Sequence, residues 1–174
     1  WGVGWYSGAT LINSGTGKVA ITGVAQQTNT GTSLGFGVEM GGSGTKITSA
    51  RASADAISIV GNSAAAASSY AEGILIGSSG TTEIVATGVG GGVTLHPAAG
   101  VNEPETLYVA DPTYVLANGG AINITALGGN SAANLRIDAD SDRLILGSTA
   151  ASNTSFDVTS SSSNITLDVG SRGL

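Results

Sequence analysis

Short runs of alternating apolar and polar residues, rich in β-branched side chains, recur along the whole chain. They include Lys18–Gly23, Ala56–Gly61, Gly92–Leu95 and Ala121–Thr125, and they are separated by Gly, Ser, Asn and Asp. Alternation over four to six residues is the period of a β-strand, in which successive side chains point to opposite faces. No window has the sustained spacing of three and four residues that is typical of a helix. The pattern therefore predicts an all-β protein.

The apolar positions of these runs form three series that recur along the chain in a fixed order. The first series is Val19/Ile21, Ile57/Ile59, Val93/Leu95, Ile122/Ile124 and Phe156/Val158. The second series is Val3/Trp5, Val38/Met40, Ile74/Ile76, Leu107/Val109, Leu135/Ile137 and Ile165/Leu167. The third series is Leu11, Ile47, Ile84, Val115 and Ile145, with Leu144 and Leu146 as the alternative to Ile145. We expect each series to point inward from one face of the fold.

The spacing within the three series indicates a solenoid. Equivalent positions lie about 28 to 38 residues apart, and when one lap of the chain shortens, the spacing shortens in all three series. We predict a parallel β-helix with three strands per coil and about five coils. Its equivalent strands would stack about 4.7–4.9 Å apart. The alternative is a sandwich of short antiparallel strands, which fits the strand spacing but does not require three strand types in a fixed order.

Composition narrows the range of functions. The chain has 28 glycines in 174 residues, 41% hydrophobic residues and 10% charged residues. The absence of cysteine excludes a disulfide scaffold and a cysteine-based zinc site. No apolar stretch is long enough for a transmembrane helix. A net charge of −6 without a basic cluster argues against nucleic acid and anionic membranes as partners.

Residues 17–50 and 55–88 share a longer pattern. An apolar-x-Ile-x-Gly strand is followed by a loop of small residues, a second strand with Gly-x-Gly-Val or Glu-Gly-Ile, a Gly/Ser turn and a Thr-x-Ile strand. This pattern resembles the repeats of filamentous haemagglutinin-like exoproteins, clearly over residues 17–95 and loosely over 121–170. These are large secreted bacterial adhesins, many exported by two-partner secretion. The resemblance implies a right-handed parallel β-helix shaft without catalytic residues, outside the cell or on its surface. The lack of cysteine fits export through an oxidising periplasm.

We therefore expect a non-catalytic rod segment of a secreted or surface-exposed adhesin or fibre. Residues 1–174 would form a single solenoid segment inside a longer rod. Neither the first predicted strand, Val3–Trp5, nor the last, Ile165–Asp168, adjoins a capping helix. We expect adjoining coils or neighbouring subunits to stack at both ends. An adhesin would in addition meet a host-cell glycan or protein receptor. The alternatives are a β-helical polysaccharide lyase, hydrolase or tailspike-like protein, and a carbohydrate-binding module.

Acidic residues near the C-terminus are the candidates for a metal site. Asp138 and Asp140 alternate as the first ligands of a calcium loop do, and Asp168 is expected to stack beside Asp138 one lap later. The loop has Arg143 where calcium loops carry glycine and Thr149 where they carry glutamate. We therefore predict no metal and no other cofactor, with calcium at these aspartates as the alternative.

Two tyrosines are the candidates for ligand binding, because aromatic rings beside carboxylates can stack on sugars. Tyr108 is expected to point outward from the second face and Tyr114 outward from the third face. Trp5 is expected to point into the core. The single histidine, His96, is expected to point outward from the first face. With neither a second histidine nor a cysteine, the sequence names no nucleophile–base pair.

Overall fold

The computed structural model describes residues 1–26, 34–63, 71–98, 100, 106–126, 135–139, 144–148, 154–158 and 165–168. These residues contain no helix, and so none that could cross a membrane. They form sixteen strands: β1 (Val3–Trp5), β2 (Thr10–Asn13), β3 (Val19–Val24), β4 (Val38–Gly41), β5 (Thr45–Ser49), β6 (Ile57–Asn62), β7 (Ile74–Ser78), β8 (Thr82–Ala86), β9 (Gly91–Ala98), β10 (Leu107–Val109), β11 (Thr113–Ala117), β12 (Gly119–Ala126), β13 (Leu135–Ala139), β14 (Leu144–Ser148), β15 (Thr154–Val158) and β16 (Ile165–Asp168).

The strands form three parallel sheets, one for each series of apolar positions. The first-face sheet is β3–β6–β9–β12–β15, the second-face sheet is β1–β4–β7–β10–β13–β16, and the third-face sheet is β2–β5–β8–β11–β14. Each strand from β1 to β13 pairs in parallel with the strand three positions further along the chain. The described residues form a parallel β-helix with three strands per coil, with five such coils and one further strand. The predicted fold is confirmed, and the alternative of an antiparallel sandwich is wrong.

One continuous apolar core runs through the coils. Ile59, Ile76 and Leu95, from three different strands, are completely buried. Alternation is the reason: along β3, β5 and β8 every second residue is buried, and the residues between them reach the surface. In the first coil the inward residues Val3, Trp5 and Leu11 are only partly buried against this core.

Glycines bring the first-face and second-face strands together at one corner. Gly23 and Gly61 lie near the ends of β3 and β6, and Gly37 and Gly73 immediately precede β4 and β7. A Cβ atom on Gly23 would lie 1.9 Å from the Gly37 carbonyl oxygen, and one on Gly61 would lie 2.0 Å from the Gly73 carbonyl oxygen. No side chain fits at those distances, so this corner requires glycine.

Two predicted alignments in the last coils are wrong by two residues. Phe156 pairs with Ile124, two residues further along β12 than Ile122, with which the sequence series aligned it. Leu107 pairs with Ile137, whereas the sequence series aligned it with Leu135. A slip of two residues keeps the same side chains on the same face, so a pattern with a period of two cannot detect it.

The third-face position in β14 is also corrected. Ile145 was expected to point inward, but the register places Leu146 beside the buried Val115, and Leu146 packs against the core. Ile145 pairs with Tyr114 in the outward column. The alternative noted for this strand is therefore the right one, because three consecutive apolar residues give no alternation from which to choose the face.

Candidate functional site

The outward column of the second-face sheet combines aromatic and acidic residues. In register it reads Gly4, Glu39, Leu75, Tyr108, Asp138 and Asp168, one residue from each of the six strands. Each of these residues pairs with the next across neighbouring parallel strands. In this column, residues that are far apart in the sequence become neighbours in the fold.

Glu39 is buried although it occupies an outward position. It is 7% exposed. Its Oε2 atom accepts a hydrogen bond of 2.5 Å from Trp1 Nε1 and another from the hydroxyl of Tyr6. Its Oε1 atom accepts a hydrogen bond of 2.9 Å from Ser78 Oγ. Three neutral donors thus surround one carboxylate, and no ion pair to Glu39 is found within the described ranges.

A glycine in the first coil makes this arrangement possible. Gly4 pairs directly with Glu39 in the register of β1 and β4. A Cβ atom on Gly4 would lie 2.6 Å from Cε2 of Tyr6, so the Tyr6 ring occupies the space that a side chain would need. Trp1 precedes β1 and Tyr6 follows it, so the short strand places both rings beside the same carboxylate.

The four residues Trp1, Gly4, Tyr6 and Glu39 line an open cleft of about 530 Å³. Trp1 is 66% exposed and Tyr6 is 42% exposed, so solvent reaches both residues. Burial of the Tyr6 hydroxyl end, its hydrogen bond to Glu39 and the negative charge of Glu39 all raise the pKa of Tyr6. The cleft is therefore an aromatic surface over a buried acidic group.

The aspartates predicted to stack do so in the backbone register. Asp138 pairs with Asp168 across β13 and β16, which confirms that part of the prediction. Asp140 lies outside the described residues. Within the ranges that the structure describes, no three His, Cys, Asp or Glu side chains are close enough to hold a metal ion together. Calcium binding at these aspartates stays a prediction.

The predicted ligand-binding tyrosines lie on different sheets. Tyr108, half-buried on β10, pairs with Leu75 and Asp138 on the second face. Tyr114, on β11, pairs with Glu83 and Ile145 on the third face. Both are outward, as expected, but the fold does not join them into one site.

His96 lies apart from both tyrosines, on the first-face strand β9. It is half-buried, and its Nδ1 atom is 3.4 Å from the backbone oxygen of Thr125. That contact ties the ring to the neighbouring strand β12. His96 is thus on a different sheet from Glu39 and Tyr108, so no histidine–carboxylate pair arises on the second face.

The Glu39 cleft was not among the sites predicted from the sequence. The predicted alignment of Val3 with Val38 already implies that Gly4 pairs with Glu39. A glycine beside a lone glutamate, flanked by Trp1 and Tyr6, is the signal that would have located the site. Alternation alone assigns an outward residue to solvent, and for Glu39 that assignment is wrong.

Comparisons with known proteins add no assignment to this site. No protein-family model, no curated protein and no solved structure matches the chain.

Proposed function

We propose that this chain is a rod segment of a bacterial secreted or surface-exposed adhesin or fibre and has no catalytic role. The observation that carries the proposal is the continuous, in-register core. Ile57, Val93 and Ile122 pair successively from coil to coil, and all three are fully buried. Because each coil contacts only its neighbours, such a shaft can be lengthened by adding coils without any new kind of contact.

The first coil supports stacking as the mode of assembly. Val3 and Leu11 are partly exposed, whereas their partners Val38 and Ile47 in the second coil are almost completely buried. A further coil, or a neighbouring subunit placed end to end, would cover these apolar groups and pair the open strand edges.

The adhesin assignment is supported by the sequence resemblance of residues 17–95 to filamentous haemagglutinin-like repeats. The confirmed coil architecture is the one that this resemblance implies. The absence of cysteine is compatible with export in an unfolded state through an oxidising compartment. A host-cell glycan or protein receptor remains the proposed partner of the complete fibre.

Immunogold labelling of intact cells of the source organism tests the proposal. Antibodies raised against the folded chain should label fibres at the cell surface, and brief external protease treatment should remove the label. Labelling that appears only after permeabilisation would contradict the surface location. A pre-adsorbed antibody serves as the control.

A reducing-sugar release assay, run beside a glycan array, tests the alternatives. The proposal predicts no release of sugar from any polysaccharide. Release of sugar would contradict the proposal and support the alternative of a β-helical polysaccharide lyase or hydrolase. Glycan binding by this segment without turnover would favour the carbohydrate-binding module.

A further inference from the structure

In the Glu39 cleft, the polar atoms of both aromatic side chains donate to a single acceptor. Trp1 Nε1 and the Tyr6 hydroxyl both donate to Oε2 of Glu39. Once these donors are used, the exposed lining of the cleft consists mainly of ring carbon atoms and the backbone of Gly4. A ligand in this cleft would therefore meet aromatic surface first and a negative charge behind it.

Among the described residues, no basic side chain forms an ion pair with Glu39. Lys46 pairs with Glu83 at 2.5 Å, and Lys18 and Arg51 both pair with Asp55 at 3.6 and 3.3 Å. Ser78, Trp1 and Tyr6 supply only neutral hydrogen bonds to Glu39. A buried carboxylate with neutral donors alone retains an attraction for a cation.

Hydrogen bonding to the carboxylate also increases the attraction of the rings for a cation. A cation over the face of Trp or Tyr is attracted by the negative face of the ring quadrupole. A donor group that hydrogen-bonds to an anion is polarised by it, which shifts electron density toward the ring. The Trp1 and Tyr6 rings and the Glu39 charge therefore favour the same kind of ligand.

We infer that the cleft of Trp1, Tyr6 and Glu39 binds an organic ammonium cation, of the quaternary or methylated amine class. An anion is repelled by Glu39. A neutral sugar needs several directional hydrogen bonds, and the polar atoms that line this cleft already bond to one another. A quaternary ammonium group needs no hydrogen bond, only aromatic surface and a nearby negative charge.

Choline and its uncharged isostere 3,3-dimethyl-1-butanol are the matched probes for this inference. Each is titrated into the folded chain while the indole N–H resonance of Trp1 is followed by NMR, with assignment from Trp1→Leu. We expect a saturable shift with choline and binding of the isostere that is at least about fivefold weaker, since the cation–π and charge contributions are then missing. Equal affinity for both probes would overturn the inference, and so would the lack of a saturable shift with choline.

Three variants localise the effect. Glu39→Gln keeps the shape of the side chain and should weaken choline binding by about fivefold or more without changing the affinity for the isostere. Glu83→Gln removes a glutamate from the outward column of another sheet and should change neither affinity. Trp1 is 66% exposed, so Trp1→Leu should leave the core intact. In this variant choline is followed through the backbone amide resonances of Gly4 and Tyr6, and binding should be lost.

Two further results would contradict the inference. Trp1→Leu with unchanged choline affinity, in a chain whose circular dichroism spectrum matches the parent, would place the site elsewhere. Displacement of choline by methyl glucoside at lower concentrations than those at which choline itself binds would make the cleft a sugar site. Neither outcome affects the proposed rod, which does not depend on this cleft.

Discussion

Two glutamates, Glu39 and Glu83, occupy equivalent kinds of position and experience different environments. Each lies at an outward position of a parallel strand, β4 and β8 respectively. Glu39 is buried under Trp1 and Tyr6 and has only neutral donors. The side chain of Glu83 is 39% exposed and pairs with Lys46 at 2.5 Å. Outward orientation by itself therefore does not determine whether a side chain reaches water.

The neighbour in the preceding coil explains the difference. Glu83 pairs in register with Lys46, whose long side chain lies alongside it on the surface. Glu39 pairs with Gly4, and the space above the glycine is filled by the ring of Tyr6. In a parallel β-helix, the residue one coil away thus determines the environment of an outward side chain more than its own sequence neighbours do.

The largest effect is expected when a carboxylate is placed inside the core without donors. Ile59 is fully buried in β6, and Ile59→Asp should lower the free energy of unfolding by several kcal/mol. Thr22 is exposed on β3, and Thr22→Asp should change the stability by less than about 1 kcal/mol. Urea denaturation of both variants measures the difference. Equal midpoints would mean that the inward and outward assignments of the first face are wrong.

A smaller effect is expected when the donors of the Glu39 cleft lose their acceptor. Glu39→Ala leaves the Trp1 indole and the Tyr6 hydroxyl without the carboxylate and should cost about 1–3 kcal/mol. Glu83→Ala removes an exposed, ion-paired carboxylate and should cost less than about 1 kcal/mol. Chemical denaturation of the two alanine variants gives the comparison. If Glu83→Ala is the more damaging, burial under the aromatic rings contributes nothing to stability.

The loss of stability at alkaline pH should depend on Glu39 and not on Glu83, because Tyr6 donates a hydrogen bond to Glu39. The pKa of Tyr6 is raised by burial and by Glu39, so the folded chain holds the phenol proton more tightly than the unfolded chain does. The stability from this group is fully present below the ordinary tyrosine pKa of about 10, and it is lost as the pH rises from there toward the folded pKa. Unfolding free energies measured across this range should fall less steeply for Tyr6→Phe than for the parent.

The same series of unfolding free energies against pH can be measured for variants of the two glutamates. Glu39→Gln removes the negative charge that disfavours the tyrosinate, so the alkaline decline should also become shallower in that variant. Glu83→Gln should leave the decline unchanged, because Glu83 lies on another sheet and pairs with Lys46. An identical slope in all four proteins would show that Tyr6 does not titrate differently in the folded chain.

The sequence predicted the sheets well because the information needed for them is local and repeated. Alternation fixes which residues point inward, and the common spacing fixes which strands stack. Val19, Ile57 and Val93 pair in the predicted order, and so do Val38 and Ile74. Register within a repeat is less well determined. Phe156 and Ile137 are each displaced by two residues, a shift that leaves the apolar face intact.

The candidate site was harder to predict because its contacts connect distant parts of the sequence. Two of the three donors to Glu39, Trp1 and Tyr6, lie 38 and 33 residues away from it on either side of β1, and the third, Ser78, lies 39 residues away. Alternation identifies Glu39 as outward but contains no information on the rings that cover it. Tyr108 was placed correctly as an outward residue, yet it lies two strands from the cleft in the same sheet. Burial of outward residues therefore has to be inferred from the stacked neighbours.

The smallest effect is expected at the exposed ion pair, and salt tests it. Lys46 and Glu83 are separated by 2.5 Å, and their side chains are 41% and 39% exposed. A surface pair of this kind contributes about 0–1 kcal/mol and is screened as the ionic strength rises. In a double-mutant cycle with Lys46→Met and Glu83→Gln, the coupling energy should decrease toward zero between low salt and about 1 M sodium chloride.

The hydrogen bonds to Glu39 are buried under Trp1 and Tyr6, so a cycle with Tyr6→Phe and Glu39→Gln should retain its coupling at high salt. Loss of both couplings over the same salt range would mean that Glu39 is as accessible to ions as Glu83 is.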